Sequence, residues 1–155
     1  DLTATPWRAG TMICADLWNP ALVHLAAVHG ATLLNVPIAS ATNAVSGEFS
    51  NPDNWTLALR FFAMIYGMPL IVTNLAVTEG EATFWGGSRI LDAFGETLAQ
   101  AGDGEELITA TIDHEQVKRA RYQLPTVRDS NLDLIHREVN RLAWNVGIPP
   151  ESRKI

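Results

Sequence analysis

The 155 residues are 47% hydrophobic, enough to fill the core of one domain, and their formal net charge of −6 comes from acids scattered along the chain. No basic stripe is available to neutralise phosphates, which excludes nucleic acid as a partner; no apolar run reaches membrane-spanning length, and no signal peptide is visible. The single cysteine, Cys14, excludes an intrachain disulfide and a cysteine-based metal cluster, so no metal and no cofactor is expected, and the cytoplasm is the expected compartment.

Residues 1–10 contain Pro6 and Gly10 without clear periodicity and read as an incoming loop or edge segment. Thr11 to Cys14 reads as a short buried strand. Asn19 followed by Pro20 is a helix start, because Asn accepts from the first free N–H groups and Pro suits the first helical position. Ala21 to His29 is apolar almost all round and ends at Gly30, the pattern of a buried helix with a glycine at its C-terminus. Ala31 to Pro37 follows as a second buried strand, which makes a strand, helix, strand unit of the parallel type. The stretch 38–50, rich in Ala, Ser, Thr, Asn and Gly, is long for a connector and marks a functional loop. Asn51-Pro52-Asp53 repeats the cap-then-proline signal for a helix over 52–66 closed by Gly67, and 69–75 is a third strand broken by one Asn.

Residues 78–87 are turn-rich. Ser88 to Asp92 and Glu96 to Gln100 flank Ala93-Phe94-Gly95 as a hairpin, and 106–112 alternates as a half-covered strand does. Asp113 with Gln116 and Ser130 with Asp133 resemble capping boxes, predicting helices that reach about Arg121 and about Ala143. The tail 146–155 reads as an arm or a frayed terminus.

Cys14 falls at a strand-to-helix turn, where the strand holds the backbone, the turn displays the side chain and the free N–H groups beyond favour negative charge. A lone Cys beside Ile and Met is also commonly a small buried hydrophobe, so both readings stand on position alone. The histidines offer it no obvious base. His24 and His29, five apart on one helix, point about 140° away from each other. His114 and His136 fall in polar helices whose solvated faces account for them. There is no Walker-type phosphate loop and no Gly-x-Ser-x-Gly elbow.

Ile13-Cys14-Ala15-Asp16-Leu17-Trp18-Asn19-Pro20, followed by Gly30-Ala31-Thr32-Leu33-Leu34-Asn35-Val36-Pro37, resembles the nucleophile region of the nitrilase, or carbon–nitrogen hydrolase, superfamily. Asn74 and the run from Phe84 through Gly86-Gly87-Ser88 to Asp92-Ala93-Phe94-Gly95-Glu96 resemble that family's strand asparagine and its Gly-Gly-Ser and Asp-x-x-Gly-Glu hairpin. The resemblance runs in order from about Gly10 to Pro125. Cys-x-Asp-Leu-Trp and the Asn-Pro-x-Asn-Trp helix start are similar to amidase-like members or to glutamine-hydrolysing domains attached to synthetases.

The resemblance implies an α/β fold, half of a four-layer α-β-β-α sandwich, with residues 1–145 as the C-terminal part of the hydrolase domain. It also implies a mechanism. A Glu takes the thiol proton, the thiolate attacks an amide or nitrile carbon, and a Lys with the backbone N–H after the Cys holds the oxyanion; ammonia or an amine leaves and water releases the acyl enzyme. Here Cys14 would be the nucleophile and the Ala15 N–H an oxyanion donor. Trp18, Ile38, Ala39, Ser40 and Trp85 are the candidate pocket lining for a small amide or nitrile, with Trp18 and Trp85 reading equally as core. Asp16 is expected to order the turn or cap the following backbone.

The family's Glu and Lys precede its Cys, whereas the thirteen residues before Cys14 hold neither. The lysines, Lys118 and Lys154, lack the family context, and the family's Arg-Ala-x-Glu-Asn pattern reads Phe62-Ala63-Met64-Ile65-Tyr66. The chain is therefore expected to be the C-terminal half of such an enzyme, inactive alone, its missing N-terminal half supplying base, amine and about half of the strands. Surface left bare by that half, together with the family's habit, implies a homo-oligomer, a dimer or larger. A non-catalytic homologue or assembly module in which Cys14 is a relic is the competing reading, and a redox-sensing thiol domain is a third.

Overall fold

A computed structural model describes residues 5–45 and 47–147. The first three strands, β1 (Ala9–Thr11), β2 (Leu33–Ile38) and β3 (Leu70–Asn74), are parallel, with Gly10 opposite Leu34, Leu34 opposite Leu70 and Val36 opposite Val72. The crossovers that parallel pairing demands are α1 (Pro20–Val28) and α2 (Asn51–Tyr66). After a small separate hairpin of β4 (Thr78–Glu79) and β5 (Ala82–Thr83), β6 (Arg89–Leu91) and β7 (Thr97–Gln100) extend the sheet antiparallel. The strand order is β1-β2-β3-β6-β7, and α3 (His114–Gln123) and α4 (Leu132–Asn145) follow.

Strand alternation sorts the residues between the two faces. Leu34, Val36 and Ile38 point with Leu70, Val72 and Leu91 into one core, closed by Val23 and Ala27 of α1 and by Trp55, Leu59 and Phe62 of α2. Each fully buried large side chain here stabilises by about 1.5–3 kcal/mol. The opposite face carries Asn35 and Thr73 exposed and Leu33, Pro37 and Ile71 only half-buried, so it stays partly open. One helical layer on one face of a sheet is the half-sandwich expected from the resemblance.

At the other end of the strands, α3 is held against α2. Arg121 donates from Nε to Tyr66 O at 3.1 Å and from Nη2 to Ala31 O at 2.5 Å, tying the end of α2 to the start of the second strand unit. Burial pushes its guanidinium pKa down from the usual range. Gly67, at φ 52, lies where a Cβ would sit 3.0 Å from the Ala120 Cβ, so the close approach of α3 depends on its bare backbone.

Several boundaries differ from the sequence expectation. β1 ends at Thr11 instead of running to Cys14; Met12 N still pairs with Asn35 O at 3.0 Å, after which the chain leaves the sheet in a 3-10 segment, Cys14–Trp18. Ser50, rather than Asn51, caps α2, accepting from Asp53 N at 3.5 Å, while the Asn51 amide is spent on Ala41 O at 2.7 Å. Asn131, at φ 44, caps α4 in place of Ser130. No strand forms over 106–112: the segment pairs with neither edge strand of the sheet, β1 or β7, and Leu107 is 89% exposed. The β4–β5 hairpin forms where the sequence shows only turn signals. Of the tail, Val146 and Gly147 follow α4 and the remainder lies outside the described residues.

Candidate active site

Cys14 occupies the first position of the 3-10 segment with φ 48, one of two non-glycine residues with positive φ among those described. A β-carbon in the left-handed region costs about 1–3 kcal/mol and persists only where surrounding bonds over-determine it. Those bonds come from Asp16, whose carboxylate accepts from Ile13 N at 3.1 Å while its own N–H donates to Ile13 O at 3.0 Å. Asp16 thus caps the backbone before the cysteine, and fully buried Leu17 anchors the far side of the turn. Asn19 then accepts from Ala21 N at 3.1 Å and starts α1 as expected.

Cys14 is a half-buried free thiol packed against the main core. Ala15, the next residue, is exposed on the turn. The turn therefore presents a sulfur followed directly by a backbone N–H, a combination able to stabilise negative charge developing next to a nucleophile.

A polar network joins the C-terminal ends of β2 and β3 to the run that leads into β6. The Asn74 side-chain Oδ1 accepts from Ser40 N at 2.9 Å, and its Nδ2 donates to Gly86 O at 3.0 Å and to Ser40 O at 3.3 Å. Ser88 Oγ accepts from Asn74 N at 3.0 Å. Gly86 must be glycine here, since its φ is 61 and a Cβ would meet Gly102 O at 2.6 Å. Thr73, Asn74, Gly86, Ser88 and Glu106 line a cavity of about 400 Å³, in which Glu106 accepts from Gly102 N at 3.0 Å. Glu106 and the Ser88 hydroxyl were not expected in such roles; the Gly-Gly-Ser run was the available signal for Ser88, and Glu106 had none.

The other expected pocket residues divide between locations. Ser40 and Ile38 are buried and Ala39 is exposed at the end of β2. Trp85 is half-buried, with its indole N–H buried and without a partner among the described residues, and its ring is 5.9 Å from the Arg89 guanidinium. Arg89 is itself buried, donating to Gly87 O and Thr56 Oγ1, and burial lowers its pKa from the usual range. Trp18 is set apart from these. It packs on Trp55 and Phe49 and lines an apolar groove with Leu57 and Phe61 that includes neither Ser40 nor Trp85. Lys118 is bonded to Glu115 on the exposed side of α3, at 2.6 Å. His24 lies against Tyr66 and His114 against Trp7. Among the described residues no group of three or more His, Cys, Asp or Glu is placed to hold a metal, and no helix is long and apolar enough to cross a membrane.

Comparison with known proteins locates this architecture. The family model for carbon-nitrogen hydrolases matches residues 1–122. An N-carbamoylputrescine amidase from Solanum tuberosum is 31% identical over 136 residues, covering 82% of this chain and 45% of that protein. The crystal structure of a carbon-nitrogen hydrolase from Helicobacter pylori G27 superposes with a TM-score of 0.77 at 33% identity, covering 86% of this chain and 49% of that one. An amidase from Nesterenkonia sp. AN1, described with the acetamide moiety of fluoroacetamide added covalently at its active-site cysteine, is similar at TM-score 0.54 and 29% identity over 62% of this chain and 34% of that one. The chain spans about half the length of the curated relatives it matches.

Proposed function

Because the chain belongs to the carbon–nitrogen hydrolase family, we propose that it carries the nucleophile of an enzyme that hydrolyses the carbon–nitrogen bond of a small amide or nitrile, with Cys14 attacking and the Ala15 N–H as an oxyanion donor. The observation that carries this reading is the left-handed turn at Cys14, held by Asp16. A merely buried cysteine has no use for that strain.

On an amide, the thiol proton passes to a base and the sulfur forms a bond to the carbonyl carbon. The carbon–nitrogen bond then breaks as the same proton is delivered to the leaving nitrogen, and water cleaves the thioester to acid and free thiol. The base and the cationic partner of the oxyanion are a Glu and a Lys from a segment outside these 155 residues. Lys118 is engaged on α3, and the partly open sheet face suits the layer such a segment would add. By itself the 155-residue chain is inactive, with residues 1–145 as one part of the hydrolase domain and 146–155 as its tail. Ile38, Ala39, Ser40 and Trp85 border the substrate, and Trp18 forms a more distant apolar wall. The assembled enzyme works as a homo-oligomer in the cytoplasm, where a reactive thiol stays reduced.

The test measures ammonia release from small amides and nitriles by the longer protein that bears the Glu and Lys, with and without Cys14→Ala. Loss of turnover by at least about 10³-fold is expected. Turnover that survives Cys14→Ala overturns the assignment.

A further inference from the structure

Arg89 opens β6 with only 6% of its surface exposed, yet among the described residues no carboxylate pairs with it. Burial is what acts on its pKa, pulling it below the usual range. Nε donates to Gly87 O at 3.1 Å and Nη1 to Thr56 Oγ1 at 2.9 Å, which leaves the two N–H groups of Nη2 for a further acceptor. Nη2 lies beside Gly87, where a Cβ would stand 3.4 Å from it and 2.6 Å from the Trp85 ring. That ring is centred 5.9 Å from the guanidinium carbon, and Trp85 Nε1 is a second buried donor without a partner among the described residues. The Gly87 carbonyl, the Thr56 hydroxyl and the indole face offset part of the cost of burying a cation, but none of them carries a full negative charge. Such a site gains by taking up an anion.

We propose that Arg89 recognises a carboxylate carried by the substrate, at the end of the molecule remote from the amide or nitrile that Cys14 attacks. Arg89 begins β6 at the end of the sheet where β1, β2 and β3 terminate, the end at which ligands bind in α/β sheets. Thr56, which holds it, follows Trp55, whose ring lies 4.6 Å from that of Trp18 on the cysteine turn, so a single turn of α2 joins the two places. β1 and β6 are three strand spacings apart, about 14 Å at the backbone, so the carboxylate belongs several bonds from the reacting carbon. A guanidinium suits this role because its planar donors match the oxygens of a carboxylate and its charge strengthens each bond. The segment that would carry the Glu and Lys is not the source of the anion. Opposite Val72 in register, Arg89 projects to the helix-covered face of the sheet, whereas that segment adds to the other face, where Asn35 and Thr73 are exposed. That the bound molecule is a substrate rests on the hydrolase reading above; the anion site itself does not.

Two measurements on the longer protein that bears the Glu and Lys test this, in the parent, Arg89→Gln and Arg89→Lys, with circular dichroism to confirm that each variant is folded. The first compares kcat/KM for glutaramate and adipamate with that for pentanamide and hexanamide, uncharged amides of the same chain lengths. The parent should prefer the acids by at least about tenfold, a preference that falls to within about threefold of unity in Arg89→Gln and is partly kept by Arg89→Lys. The second titrates glutarate, which has no bond to hydrolyse, and binding at least about tenfold weaker in Arg89→Gln is expected. A parent that turns over acids and neutral amides alike overturns the proposal and leaves the hydrolase reading standing, without recourse to any variant. Equal losses for both classes of amide in Arg89→Gln, or glutarate binding indifferent to Arg89, overturn it as well. Glutarate held through Arg89 with no Cys14-dependent turnover of any amide supports the anion site and overturns the hydrolase reading instead.

Discussion

Asn74 is the side chain through which the strand ends at the site hold together, and replacing it separates two accounts of that network. Asn74→Ala removes the acceptor of Ser40 N at 2.9 Å and the donor to Ser40 O at 3.3 Å and Gly86 O at 3.0 Å. Gly86 borders the cavity, so water can replace its lost partner, whereas Ser40 is 5% exposed and its backbone groups stay unpaired. At about 1 kcal/mol for a net hydrogen bond and about 1–3 kcal/mol for a buried group left unsatisfied, the alanine variant should lose about 2–4 kcal/mol. For a chain of this size that is a drop of roughly 5–12 °C in midpoint. Asn74→Asp is the sharper probe. It keeps an acceptor for Ser40 N but aims a second carboxylate oxygen at two carbonyl oxygens, so at pH 7 it should be less stable than the alanine variant. Those carbonyls disfavour the charged form and raise the folded-state pKa of the new carboxyl above its unfolded value of about 3.9. The penalty is therefore full above the raised pKa and fades as pH falls through it, and protonation restores a donor to Ser40 O or Gly86 O. Urea unfolding at pH 7 and pH 5 would check this. An aspartate variant as stable as the parent at pH 7, or one whose deficit does not shrink on acidification, refutes the network.

Other changes give separate readings of the turn and its supports. Cys14→Gly should be about 1 kcal/mol more stable than Cys14→Ala, because only glycine takes φ 48 without strain; equal stabilities from urea melts would mean that the turn relaxes. Asp16→Ala should cost about 1 kcal/mol and alter the rate at which iodoacetamide alkylates Cys14, read by intact mass, since Ile13 N loses its acceptor; an unchanged rate would show that the carboxylate does not position the thiol. Arg121→Met should cost about 2–3 kcal/mol in thermal or urea unfolding by stripping Tyr66 O and Ala31 O of a charged donor, and a neutral result would contradict its role in seating α3. Gly86→Ala should lose more than about 2 kcal/mol, because the new methyl meets Gly102 O at 2.6 Å, and parent-like melting would sink that claim.

Local chemistry made much of this chain legible. The cap-then-proline pairs placed α1 and α2, the two glycines after them closed those helices, and unbroken apolar runs gave parallel β2 and β3, because each signal acts within a few residues of itself. The ordered blocks around Cys14, Asn74 and Gly86-Gly87-Ser88 were enough to point to the family. What the string of residues left undecided depends on neighbours distant in sequence. Segment 106–112 alternates like a strand and is not one, since pairing needs an edge that only the folded sheet can offer. Asp113 capped its helix as expected, yet Ser50 and Asn131 displaced the anticipated caps, because Asn51 found a better use for its amide on Ala41 O and the chain entered α4 through a left-handed residue. The strain at Cys14 and the separate surroundings of Trp18 and Trp85 likewise exist only in three dimensions, because a dihedral angle and a groove wall are set by the whole surrounding fold.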